Sequence, residues 1–265
     1  MPLARTWSVA VVGVQGHLVE VEVDLAQGLP GLALVGLPDA ALNEARDRVR
    51  AAITNSALAW PQQRITVGLS PASLPKAGSG FDLAIAAGVL AARGDVPPER
   101  VADQVLLGEL GLDGRVRATR GVLPSVLAAV RAGRDRVIVP SANAQEAALV
   151  PGVAVTAVAT LTGLVAVLRG ESVGEPIPAR PVAETAPEAD LADVVGQDRG
   201  RLAVEVAAAG GHHLLLLGDP GAGKSMLATR LPGLLPPLTD AEALEVSAVH
   251  SVAGQLPPSA PMVRR

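Results

Sequence analysis

With 265 residues and a formal net charge of −4, the chain has room for one large domain or two smaller ones, and is too acidic for a surface given over wholly to phosphate contacts. It contains no cysteine, which excludes disulfides, thiolate zinc sites and thiol nucleophiles and fits a reducing cytoplasm. Phe81, Trp7 and Trp60 are its only Phe, Trp or Tyr residues, so the core must be built from Ala, Val, Leu and Ile.

No secretory signal is expected at the N-terminus, because the apolar run after Arg5 is short and gives way to "HLVEVEVDL". There Val19, Val21, Val23 and Leu25 alternate with Glu20, Glu22 and Asp24, the pattern of a half-buried strand. Strands at 7–14 and 31–35 are expected to pair with it. Between Pro38 and Ser56 the period changes: Leu42, Ala45, Val49, Ala52 and Ile53 form one stripe of a helix. The strand "RITVGL" follows, then a Pro/Gly-rich loop and a helix starting near Phe81. Further strands are expected near 105–110, 113–118 and 136–139, with helices near 123–132 and 141–149. Val150 to Leu168 carries no charge over about the length of a membrane span. Pro151, Gly152 and three threonines favour instead a strand at 153–158 and a short helix at 160–169. The first domain, of α/β or α+β class, is expected to end near Gly170.

Residues 171–189 carry four prolines and four glutamates and almost no large apolar side chain, which predicts an interdomain linker. A second module is expected over 190–265. A helix at about 197–209 leads to a strand "HHLLLL", a glycine loop and a helix from Lys224 to Leu231 stopped by Pro232. Thr239 and Glu242 form the capping-box pattern of another helix.

The glycine loop holds the clearest chemistry. Gly218, Asp219, Pro220, Gly221, Ala222, Gly223, Lys224 and Ser225 satisfy the Walker A pattern between an expected strand and a helix. Gly221 and Gly223 let consecutive amides converge on a phosphate at the positive end of the helix dipole. Lys224 would bring its charge to the β- and γ-phosphates of ATP, and Ser225 its hydroxyl to Mg²⁺. Hydrolysis also requires an acid closing a second buried strand. No apolar run ending in such an acid follows Ser225, and Glu242 and Glu245 fall on the capped helix. Nucleotide binding by this chain is expected to be weak or nil, and hydrolysis absent, because a parallel sheet lacking most of its strands leaves apolar faces uncovered.

The stretch from about Asp193 to the end, with "VVGQ", "HHLLLLGDPGAGKS" and "ALEVSAVHSVAG", resembles the start of the ATPase domain of the Mg-chelatase-like AAA+ proteins of the ComM/YifB family. The resemblance implies a parallel-sheet ATPase domain of which this chain carries the beginning, and puts Val195, Gly196 and Gln197 beside the adenine. "SLPKAGSGFDLAIA" and "LLGELGLDGRVRATRGVLPSVLAAVRAGRDRVIVP" resemble a Lon-type protease domain, the S5-like fold which that family carries in front of its ATPase. Two departures follow. The register puts Gly80 at the nucleophile's place, with Ser79 one residue early, and Leu123 at the lysine's place. Lys76 and Lys224 are the only lysines. No Ser–Lys dyad, and hence no protease, is expected.

His17, His212, His213 and His250 share no metal-ligand spacing, and His212 and His213 are expected on opposite faces of their strand. Arg115, Arg117, Arg120, Arg131, Arg134 and Arg136 crowd one stretch, as solvated arginines or as a patch for DNA or a partner. Three functions are compatible with the resemblance. One is an ATP-driven DNA motor, working as a homo-oligomeric ring on branched or single-stranded DNA during uptake and recombination. The others are a non-enzymatic docking module and a subunit for metal insertion into porphyrin. No membrane partner is expected.

Overall fold

The computed structural model describes residues 3–178, 189–256 and 262–263. Two compact units emerge: Met1–Arg180 with Ser247–Met262, and Pro181–Val246 with Val263–Arg265. The expected linker falls mostly on 179–188, outside the described residues.

The first unit opens with β1 (Leu3–Val12) and β2 (Gln15–Ala26), an antiparallel ladder running from Leu3↔Asp24 to Val12↔Gln15. Next come β3 (Gly31–Val35), α1 (Ala40–Asn43), α2 (Ala45–Asn55) and β4 (Arg64–Ser70). The single helix expected over 38–56 is thus divided at Glu44. The chain continues through α3 (Asp82–Arg93), α4 (Pro98–Ala102), β5 (Val105–Leu106), β6 (Glu109–Leu110), β7 (Val116–Arg117), α5 (Val122–Arg131) and β8 (Arg136–Pro140). A 3-10 turn at Ser141–Asn143, α6 (Ala144–Ala147), β9 (Ala154–Val158) and α7 (Leu161–Arg169) complete it.

Seven strands make one sheet in the order β3-β4-β2-β1-β5-β8-β9. Its β1–β2 and β2–β4 pairs are antiparallel and the other four parallel. The strand at 31–35 does not pair with β2 as expected: β4 takes that edge, and β3 joins β4 in parallel. Both sequences fit the same pleat, and only the chain's route decides which reaches β2. The long strands expected over 105–110 and 113–118 shrink to dipeptides. At Gly108 (φ 156°) the chain leaves the main sheet, and β6 and β7 pair as a separate hairpin.

The alternation in β2 has the expected result, with Val19, Val21 and Val23 fully buried. Buried α3 crosses that face at Gly88, where a Cβ would stand 2.5 Å from Val23 Cγ2, so only glycine admits so close a helix. The opposite face is covered at one end by α5, whose Pro124 carbonyl would lie 2.6 Å from a Cβ at Gly16. Towards the other end it carries the exposed Arg5–Glu22 pair at 3.0 Å. Residues 150–168 form β9 and α7, and no helix among the described residues is long and apolar enough to cross a membrane.

The second unit contains a 3-10 turn at Leu191–Asp193, α8 (Asp198–Gly210), α9 (Lys224–Ala228), α10 (Leu231–Leu234) and the first half of α11 (Asp240–Ala253). The helix expected from Lys224 to Leu231 stops earlier, with Thr229 as its C-cap. Pro232 starts α10 rather than ending a helix, sitting in the first turn where its missing N–H costs nothing. The strand "HHLLLL" does not form: residues 212–219 lack regular structure, and Leu215 and Leu217 are 78% and 83% exposed. A parallel strand exists through its neighbours' hydrogen bonds, and no described strand pairs with this one.

Candidate nucleotide site and the cleft of the first unit

The glycine loop forms although its strand does not, because local bonds define it. Gly218, Gly221 and Gly223 take φ of 156°, 85° and 82°, values that a side chain would strain. Gly223 is the N-cap of α9 and its carbonyl accepts the Leu227 amide at 3.0 Å. The Asp219 carbonyl accepts the Ala222 amide at 3.2 Å, closing the turn across Pro220 and Gly221. The Lys224 amine folds back over this loop, donating to the Gly218 and Asp219 carbonyls at 2.9 and 2.8 Å. Among the described residues, the amides of Gly221, Gly223, Lys224 and Ser225 donate to no group of the chain. Ser225 is exposed on the first helical turn. Free amides, a helix start and a lysine cation within one loop fit a polyphosphate, and the Ser225 hydroxyl beside them fits its Mg²⁺.

Val194 is buried with Leu191, Val204 and Leu227, while Val195 beside it is 95% exposed. Gly196 and Gln197 both take positive φ, and the Gln197 side-chain amide donates to the Ala222 carbonyl at 3.1 Å. Gln197 is thereby tied to the loop, and Val195 and Gly196 directly precede it in the chain. Arg230 pins the same region, donating to the Asp190 and Met226 carbonyls at 2.9 and 2.8 Å. Glu242 is engaged elsewhere: its carboxylate accepts from the Thr239 amide and hydroxyl at 2.8 and 2.7 Å, which hold it below the usual carboxylate range. His212 and His213, expected on opposite faces, instead line one apolar cavity of about 440 Å³ with Leu202 and Val206 of α8. Without a strand no pleat separates them. Among the described residues no cluster of metal-ligating side chains occurs.

The first unit has a cleft of about 380 Å³ between the 77–81 loop, β1 and the start of α5. Gly80, expected at the nucleophile's place, lines it with open space where a Cβ would point. Ser79 gives its hydroxyl to the Glu109 carboxylate. Leu123, expected at the lysine's place, is fully buried, and α5 presents Val122 and Ser125 to the cleft. The Ser125 hydroxyl bonds the Gly121 carbonyl at 2.7 Å. Lys76 is buried away from the cleft lining, its amine on the Pro71 carbonyl, and burial lowers its pKa. No lysine lines the cleft.

The sequence pattern did not show a buried ion pair between α2 and α3. Arg48 of α2 makes two bonds, at 2.7 and 3.0 Å, to the fully buried Asp82 at the start of α3. Asp82 also accepts the Leu110 amide at 3.2 Å. Burial pushes the Asp82 carboxyl up while Arg48 and that amide pull it back, and the bond to Asp82 holds Arg48 above its ordinary value. A charged residue opening an otherwise apolar helix was the available signal. Arginines of the basic stretch are partly engaged: Arg115 pairs with Asp113 at 3.3 Å, Arg117 lies 3.9 Å from Glu109, and Arg134 stacks on Trp7 at 3.8 Å.

A Lon-like mixed sheet followed by a Walker-type loop defines an AAA+ protein of the Mg-chelatase-like class. Two family models described as subunit ChlI of Mg-chelatase match residues 21–143 and 190–265. An uncharacterized protein of Mycobacterium tuberculosis is 58% identical over 268 residues, which is 100% of this chain and 53% of that protein. The competence protein ComM of Haemophilus influenzae is 44% identical over 258 residues, 95% of this chain and 50% of its own length. Lon protease of Trichlorobacter lovleyi is 28% identical over 145 residues, 52% of this chain and 18% of the protease. The chain belongs to the ComM/YifB family. It spans about half the length of the curated ComM-type relatives that it matches.

Proposed function

We propose that residues 218–225 bind the phosphates of ATP, with Lys224 on the β- and γ-phosphates, Ser225 on Mg²⁺, and Val195, Gly196 and Gln197 beside the base. The observation that carries this reading is the set of unengaged amides at Gly221, Gly223, Lys224 and Ser225 under the Lys224 amine. On binding, the amine exchanges two loop carbonyls for phosphate oxygens, so the charge is present before the ligand arrives.

The whole protein is then a cytoplasmic, ring-forming ATPase that moves branched or single-stranded DNA, the reading favoured by its likeness to a competence protein. Residues 1–170 are its Lon-like domain without protease activity, 171–189 a linker, and 190–265 the first part of the ATPase domain. A docking role for the first domain is the second reading, favoured by a well-formed cleft that holds no lysine.

Titration of the full-length protein with MgATP tests the site: Lys224→Ala should weaken binding about tenfold or more, the loss of charge-assisted bonds. Unchanged affinity would remove the site. Branched-DNA binding that fails on replacing Arg115, Arg117 and Arg120 with alanine supports the motor; DNA binding absent in the unaltered protein leaves the docking role.

A further inference from the structure

The end of α11 lies outside the glycine loop and packs with the first unit. Ser247 and Ser251 are buried, at 0% and 4% exposure, and Ser247–Met262 belongs to the first unit. The Ser251 hydroxyl donates to the Glu146 carboxylate, and the Ser251 carbonyl accepts the Gly121 amide at 3.3 Å. Glu146 also accepts the Leu123 amide of α5 at 2.9 Å and the Asn143 side-chain amide at 3.0 Å. Asn143 is bonded both ways to the main chain of Thr119, at 3.0 and 3.1 Å. Gly254, with φ 69°, lies so close to Arg120 that a Cβ would stand 2.8 Å from its Nε. One carboxylate therefore joins the start of α5, the turn before α6 and the end of α11. Bonds to a charged acceptor are directional as well as strong, so this is a keyed seat rather than apolar packing.

The seat adjoins the cleft. Ala118, Thr119 and Arg120 line a cavity of about 330 Å³ together with Glu146, Ser251 and Leu256, and the same three residues form a wall of the cleft. We propose that Ser247–Leu256 is a docking element of the Lon-like unit, latched by Ser251 on Glu146, and that its seating fixes the 118–120 wall of the cleft. Asp240–Val246, the same helix's first half, belongs to the unit of the glycine loop. The inference does not depend on what the loop binds.

Hydrogen exchange in the full-length protein tests it. Ser251→Ala, a small change that leaves the other Glu146 bonds in place, should speed exchange about tenfold in 119–123 and 247–256 while Asp82–Arg93 is unaffected. Gly254→Val, which collides with Arg120, should do the same more strongly. Unchanged exchange at 119–123 and 247–256 in both variants would overturn the proposal. Faster exchange spreading to Asp82–Arg93 would overturn it too, because the segment would then be part of the core rather than a docked element.

Discussion

The two units contrast in how their apolar residues are used. In the first, Val19, Val21, Val23, Ile65 and Val67 are fully buried on strands that have partners on both sides. In the second, Leu214 to Leu217 are as apolar as any of these, yet form no strand, and Leu215 and Leu217 face solvent. The glycine loop beside them is nevertheless well defined. A strand depends on distant partners, whereas a loop and a helix cap are closed by residues within a few positions of each other. Order in the first unit is therefore collective, and in the second it is local.

Trp7 and Trp60, the only tryptophans, lie in the first unit, so their fluorescence reports its unfolding alone. The largest expected effect is that of Asp82→Ala, which strands the mostly buried Arg48 guanidinium and should lower the stability of this unit by about 3–5 kcal/mol in urea. Gly88→Ala forces a methyl against Val23 and should cost about 1–3 kcal/mol by the same measurement. A smaller, confined effect is expected in the second unit: Thr239→Ala removes the cap of α11, costs about 1 kcal/mol, and should raise exchange near 240–243 without shifting the tryptophan midpoint. A shifted midpoint would show that order there is not local.

The smallest effect is on pH dependence. Burial lowers the Lys76 pKa below 10.5, so between the two values the unfolded chain binds more protons than the folded one, and stability rises with pH. Lys76→Met should flatten that rise in urea midpoints taken across alkaline pH; an unaltered slope would remove Lys76 as its cause.

Much of this was legible beforehand because it depends on near neighbours. The alternation over 17–25, the stripe over 42–53, the Thr239–Glu242 cap and the glycine spacing at 218–225 all show in the structure where they were expected. The misreadings share one cause. That β4 and not β3 flanks β2, and that His212 and His213 share a cavity, both depend on residues far along the chain.

The sequence by itself determined the family, the secondary-structure periods of the first unit and the composition of the loop, since a glycine, a cap or a lysine acts through its own backbone and its immediate neighbours. Tertiary structure alone decided which strands became strands, how Arg48 met Asp82 across 34 residues, and how Ser251 met Glu146 across 105. The physical reason is that hydrogen-bond ladders and buried charges are stabilised only by partners, and a linear pattern shows which groups need partners without showing where those partners will be.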